Sequence, residues 1–144
     1  MSSYSIKMLV DGVAVGRPLV LDEPLSFWGG LDPHSGEVID RRHPQSGKIV
    51  TNKVLFLPSG RGSSSASSIL MEAVHDESAP AALVMSEADG ILALGAIVAQ
   101  EVYGRSLPVV LLDPENYEAA IGKVQGNESL IVEIFDQILH LKSA

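Results

Sequence analysis

The stretch KVLFLPSGRGSSSASSILMEAVH (residues 53–75) decides how this chain folds. It opens on the nearly continuous apolar run 53–57 that closes KIVTNKVLFL (48–57), whose β-branched and aliphatic density reads as a buried strand. A glycine–serine turn follows at once, and from residue 67 the apolar positions Ile69, Leu70, Ala73 and Val74 recur at helical spacing. The unit is strand, glycine-rich loop, helix.

Two further units follow on its carboxyl side. AALVM (81–85) reads as a second buried strand, ILALGAIVAQEVY (91–103) as a mostly buried helix ending near Gly104, and LPVVLL (107–112) as a third buried strand. A short helix is expected over 116–122. Residues 127–141 place Leu130, Ile131, Ile134, Ile138 and Leu139 on one helical face, so the tail is expected to end in a helix. Strands alternating with helices imply a small parallel sheet.

The amino-terminal side has a different grain. Apolar runs at 6–9 and 13–20 flank Asp11-Gly12, which predicts a β-hairpin. Residues 19–21 read as a separate short strand ending before Pro24. Residues 26–47 hold four glycines and two prolines, too broken for a helix, and predict loops with short strands. The expected fold class is α/β: a β-rich amino-terminal half joined to a small parallel sheet with helices, one domain over residues 1–144.

Composition narrows the function. The 144 residues are 46% hydrophobic and 19% charged, a balance that builds a globular core. Asp plus Glu outnumber Lys plus Arg by 18 to 10, a net charge of −8 that repels phosphate backbones and anionic lipid. Neither a nucleic-acid nor a membrane partner is therefore expected. Aromatics are 5%, so bases find no stacking surface. There is no cysteine, which removes disulfides, thiol nucleophiles and thiolate-held metal or iron–sulfur centres from this chain's repertoire. No run suits a membrane span or a signal peptide, and a cytoplasmic location is expected.

Chemistry concentrates in the loop Gly60-Arg61-Gly62-Ser63-Ser64-Ser65 between strand and helix. Unpaired N–H groups at a helix start and the helix dipole favour a carboxylate or phosphate. The glycines allow close approach, the hydroxyls donate, and Arg61 adds a full charge. The competing reading is that Ser64 or Ser65 caps the helix. The spacing is neither that of a P-loop nor of a nucleophile elbow. His34 and His43, with Asp32, Glu37 and Asp40, lack metal-ligand spacing and read as loop polar groups, while His75 and His140 read as structural or exposed. No metal site is assigned to this chain. Trp28, beside Gly29-Gly30, reads as an aromatic anchor for its long loop, with a ligand-facing wall as the alternative. Arg41-Arg42 reads as a surface pair, and Asp76-Glu77 as a solvated helix end.

Taken together, SFWGGLDPHSGEVID (26–40), HPQSGKIV (43–50) and LPSGRGSSSAS (57–67) resemble the small subunit of aconitase X enzymes, and the resemblance covers essentially the whole chain. It implies a swivelling β/β/α domain that closes over a larger catalytic part, and a dehydratase activity. The chain ends where the small part would end, which implies a separate large subunit as partner. The resemblance casts Ser63 as the base that takes the substrate proton. Arg61, Gly62, Ser64 and Ser65 become the groups that bind a small anionic substrate. The ordinary aconitase loop continues with Arg after its two serines where this chain has Ser65, so that arginine's contacts must come from elsewhere. An iron–sulfur or iron centre is implied in the large subunit, with no cofactor held by this chain alone. The low charged fraction points toward a mesophilic bacterial owner. That makes cis-3-hydroxy-L-proline the expected substrate, with phosphomevalonate dehydration or a non-catalytic anion-binding module as alternatives.

Overall fold

The computed structural model describes residues 2–60, 65–127 and 129–143. In chain order the elements are β1 (Ser2–Ser5), β2 (Lys7–Val10), β3 (Ala14–Gly16), β4 (Pro18–Val20), α1 (Phe27–Gly30), β5 (Val54–Leu57), α2 (Ala66–His75), β6 (Ala82–Met85), α3 (Gly90–Tyr103), β7 (Val109–Leu111), α4 (Pro114–Val124), β8 (Leu130–Phe135) and β9 (Ile138–Ser143). They form a five-stranded sheet, β2-β7-β6-β5-β4, and a four-stranded antiparallel sheet, β1-β9-β8-β3. In the larger sheet β4, β5, β6 and β7 run parallel and β2 joins antiparallel at the edge.

Every residue of β5 and β6 is buried, as the apolar runs require of strands covered on both faces. The two-residue period divides them. Leu55, Leu57, Leu83 and Met85 face a core shared with α2, α3 and the 21–50 segment. Val54, Phe56, Ala82 and Val84 face a second core shared with α4 and the antiparallel sheet. The layers are therefore antiparallel sheet with α4, parallel sheet, then α2 and α3, the β/β/α arrangement expected.

The helices begin and end where local chemistry dictates. Asp89 caps α3, its carboxylate accepting from the Ile91 and Leu92 N–H groups at 2.9 and 3.1 Å. Gly104 closes the same helix in the left-handed region, φ 67°. Asp113 caps α4 by accepting from Asn116 N–H at 2.8 Å, with Pro114 in the first turn, so this helix starts earlier than residue 116. Helices α2 and α3 cross closely because Gly95 has no side chain: a Cβ there would lie 3.0 Å from Ser67 Cα and carbonyl O.

Two expectations fail. Residues 6–20 do not form a hairpin. The chain changes sheet at each short strand, so β2 pairs with β7 and β3 with β8. Gly12 serves close passage rather than a turn, since a Cβ there would stand 2.4 Å from Ser106 Oγ and 2.9 Å from Pro108. The tail is not helical either: β8 and β9 pair as an antiparallel hairpin. Val132, Ile134, Leu139 and Leu141 point inward at a period of two. The turn is carried by Asp136 and Gln137, both at positive φ (53° and 59°), without the glycine that usually marks such a turn. The antiparallel sheet thus draws β1 and β3 from the amino terminus and its two central strands from the carboxyl terminus.

Candidate active site at the carboxyl edge of the parallel sheet

The four parallel strands all end on one edge, where open α/β sheets hold their ligands. Beyond β4 and β5 the parallel pairing continues in an isolated bridge, Leu25 to Gly60. The segment after β6 is tied to the same place: Ser86 and Glu87 N–H donate to the Pro58 carbonyl at 3.3 and 3.2 Å, and Ser86 Oγ donates to it at 3.1 Å. Gly60 sits directly against the cap of α3, so that a Cβ on it would come within 2.0 Å of Asp89 Oδ2. On the far side of the serine loop, Ser65 occupies the start of α2 in helical conformation, φ −69° and ψ −14°, and Ser68 Oγ donates to its carbonyl at 2.8 Å.

Both ends of the loop are therefore fixed at the carboxyl edge, beside the first turns of α2 and α3. Arg61, Gly62, Ser63 and Ser64 themselves lie outside the described residues. Of the predicted site residues, the structure places Ser65 and does so without a side-chain cap hydrogen bond. For Ser65, the simple capping reading of the loop loses its support. Asp89 belongs to this edge as well. An Asp immediately before an apolar helical run is the sequence signal for its capping role; its approach to Gly60 is visible only in three dimensions.

The histidines lie elsewhere. His43 is 6% exposed and both ring nitrogens are occupied: Nδ1 accepts from Gln45 N–H at 3.0 Å and Nε2 donates to the Glu23 carbonyl at 3.0 Å. It is a strut of the 20–45 segment rather than a loop polar group in solvent. His34 lies at the carboxyl-terminal end of α2, with Nδ1 on Asp76 Oδ2 at 2.5 Å and Nε2 3.4 Å from Glu72 Oε1. The hydrogen bond to Asp76 raises the His34 pKa above its usual value. Bonds from His75 and then His34 lower that of Asp76. His34, Glu72 and Asp76 are the one trio among the described residues close enough to share a metal ion. Each imidazole nitrogen already faces a carboxylate, so the trio is an ion-paired clasp. It is also remote from the loop, since ten helical residues span about 15 Å. His75 packs 5.2 Å from the Tyr103 ring, and His140 stacks 4.6 Å over Phe135.

Trp28 corrects an expectation. The aromatic that anchors its loop is Phe27, 1% exposed, whereas Trp28 is 61% exposed. Trp28 and Gly29 break α1, with ψ 115° at the first and φ 81° at the second, and this turns the indole away from the core.

This chain cannot hold an iron–sulfur cluster, which requires thiolates it lacks. No helix among the described residues is long and apolar enough to cross a membrane.

The family model of the aconitase X swivel domain matches residues 3–138. The chain is 53% identical over 106 residues to a cis-3-hydroxy-L-proline dehydratase of Pseudomonas aeruginosa, an alignment covering 74% of this chain and 18% of that protein. The share is 20% for the fungal enzyme of the same name from Hypocrea jecorina, so the chain spans about a fifth of these relatives. It is 43% identical over 93 residues to the phosphomevalonate dehydratase small subunit of Methanothermobacter thermautotrophicus, covering 65% of this chain and 71% of that one. Among solved structures, aconitase X of Thermococcus kodakaraensis superposes with a TM-score of 0.82 at 27% identity, over 99% of this chain and 100% of that one. The β/β/α layering, with Gly60 and Ser65 at the carboxyl edge of the parallel sheet, agrees with the match over residues 3–138: this chain belongs to the aconitase X swivel domain family.

Proposed function

We propose that this chain is the swivelling portion of a dehydratase that eliminates water from a small hydroxy acid, with Ser63 as proton acceptor and cis-3-hydroxy-L-proline as substrate. The observation that carries the reading is the 53% identity to a cis-3-hydroxy-L-proline dehydratase, in a chain whose Gly60, just before the serine loop, lies at the carboxyl edge of the parallel sheet. Elimination breaks a C–H bond beside the substrate carboxylate and a C–O bond on the neighbouring carbon. It needs a base at the first and a Lewis acid at the second.

This chain supplies the first. A serine hydroxyl is a weak base until its alkoxide is stabilised, and the N–H groups at the start of α2 and the Arg61 guanidinium provide that stabilisation. In its alkoxide form Ser63 takes the C2 proton of the hydroxyproline, and the electron pair left behind expels the C3 hydroxyl. Arg61, Gly62, Ser64 and Ser65 hold the substrate carboxylate. An iron or iron–sulfur centre in a large catalytic portion would supply the Lewis acid for the departing hydroxyl, and any thiolate ligands to it would come from that portion, since this chain has no cysteine. The chain alone is inactive, and the complex works in the cytoplasm.

A phosphomevalonate dehydratase small subunit is the second reading, favoured by one observation: the chain covers 71% of such a subunit from M. thermautotrophicus, against a fifth of the hydroxyproline enzymes. Co-expression with the large portion, followed by assay of the purified complex on cis-3-hydroxy-L-proline and on mevalonate 5-phosphate, separates them. Turnover of the hydroxyproline supports the first reading. Turnover of the phosphate alone replaces it with the second, and a stable complex inert to both overturns each.

A further inference from the structure

Trp28 is the chain's single tryptophan and lies between Leu25 and Gly30, on the segment that pairs with Gly60 at the carboxyl edge of the parallel sheet. The loop that carries it is closed at its base: Leu25 bridges to Gly60, and Gly30 abuts Leu25, with a Cβ on Gly30 falling 3.0 Å from Leu25 Cδ1. The tip, Trp28-Gly29, therefore projects from the same edge as the serine loop. Nothing lies within 4 Å of where a Gly29 Cβ would be, so the tip meets open space. The left-handed φ of 81° at Gly29 is a conformation that favours glycine, and it fixes the outward turn. Ser26 Oγ donates to the Trp28 carbonyl at 3.1 Å and holds the tip in shape.

An indole is costly to leave in water and gains most from a desolvated pocket with an acceptor for its N–H, which is why tryptophans concentrate at the centres of interfaces. The edge on which Trp28 stands is where a second polypeptide must arrive. The elimination proposed above needs a Lewis acid at the serine loop, and some four fifths of the hydroxyproline dehydratase relatives lies outside the part this chain matches. We propose that Trp28 is the docking anchor for the large catalytic portion, its indole entering an apolar pocket of that partner as the two close over the carboxyl edge. The inference rests on the proposed function and adds the residue that holds the two parts together. A preshaped tip loses little freedom on binding, so most of the indole's burial appears as affinity.

The test labels the chain biosynthetically with 5-fluorotryptophan, which places a single fluorine probe at Trp28. The unlabelled large portion is then titrated in, with complex formation followed independently by sedimentation. The resonance is expected to move and to lose its H2O/D2O solvent shift as the complex forms. In parallel, Trp28→Ala is expected to raise the Kd for the large portion about thirtyfold while changing the chain's own melting temperature little, because Trp28 is 61% exposed in the free domain. A complex that forms with the resonance unmoved, or with the same Kd for Trp28→Ala, overturns the inference and leaves the proposed function standing. A resonance that responds to the concentration of the chain alone makes a second copy the occupant and also overturns it. A large portion that does not bind the chain at all overturns the proposed function, and this inference with it.

Discussion

Helix α2 follows a glycine–serine stretch and ends in a knot of charged side chains, and its two ends differ in chemistry. At the carboxyl-terminal end His34 bridges Glu72 and Asp76, and Asp76 also takes a bond from His75. Arg105 covers the last carbonyls, donating to Val74 O at 2.7 Å and His75 O at 3.0 Å. Opposite charges are satisfied within the chain, and the result is a brace between the 32–36 turn and the helix. At the amino-terminal end no acidic residue occupies the first turn, and the approach to the helix is shaped by a glycine pressed on Asp89. Clustered titratable groups therefore brace the carboxyl-terminal end, while the first turn of α2 at the sheet edge carries no acidic residue.

Four variants sharpen or break this comparison. Short of removing the proposed base, the largest effect belongs to Gly60→Ala. Its Cβ collides with Asp89 Oδ2 at 2.0 Å and displaces the entrance to the serine loop, and a shift of that size costs about a hundredfold in turnover of the complex. Adding Asp89→Ala to it should recover part of the loss, because the colliding carboxylate is gone; a strictly additive double mutant would contradict the contact. Gly95→Ala follows. It forces α3 away from Ser67 and should destabilise the domain by about 1–3 kcal/mol in denaturant melts. Asp89→Ala alone removes the two cap bonds of α3 and should cost about 1 kcal/mol in the same melts.

These residues also show what the sequence could reveal. Three of the four parallel strands, β5, β6 and β7, were legible because an apolar run needs no partner to be recognised, although β5 is shorter than the 48–57 stretch read for it and β4 was placed in the amino-terminal β half. The glycine–serine loop was legible because its neighbours on both sides were unambiguous. The hairpin β8–β9 was not. Two of its inward residues, Ile134 and Leu139, also fall on a helical stripe, and Asp136-Gln137 adopts a turn whose usual glycine is missing. The false hairpin at Asp11-Gly12 is the converse: glycine was present for clearance against Ser106 and Pro108, a constraint set by residues far along the chain. At the site, the loop could be named from sequence, but the approach of Asp89 to Gly60 and the exposure of Trp28 depend on tertiary contacts that no local pattern encodes.

The smallest effect is at the charged end. The pKa of His34 is raised from 6.5 in the folded state, so its contribution to stability is fully present below the unfolded value and disappears as pH rises through the folded one. That of Asp76 is lowered from 3.8, so its contribution is present above that value and is lost as pH falls through the folded one. Asp32 and His75 complete the charges facing the clasp. The melting temperature of wild type should exceed that of His34→Gln between these limits, with the gap closing as pH climbs past the His34 pKa. A gap that widens with pH would assign the clasp the wrong sign. Because the groups are exposed, turnover of the complex should be little changed.

The proposed function has this chain contribute the proton acceptor to a site completed by a large catalytic portion, the part of the hydroxyproline dehydratase relatives that it does not match. The most direct measurement compares water elimination from cis-3-hydroxy-L-proline by the chain, by the large portion, by the two mixed, and by the mixture carrying Ser63→Ala, with assembly followed by sedimentation. The account predicts turnover only in the wild-type mixture, and a Ser63→Ala complex that assembles equally well but is slower by about 10²–10⁴-fold, the range expected for loss of a general base. A Ser63→Ala complex running at the wild-type rate, or a large portion fully active by itself, would contradict it.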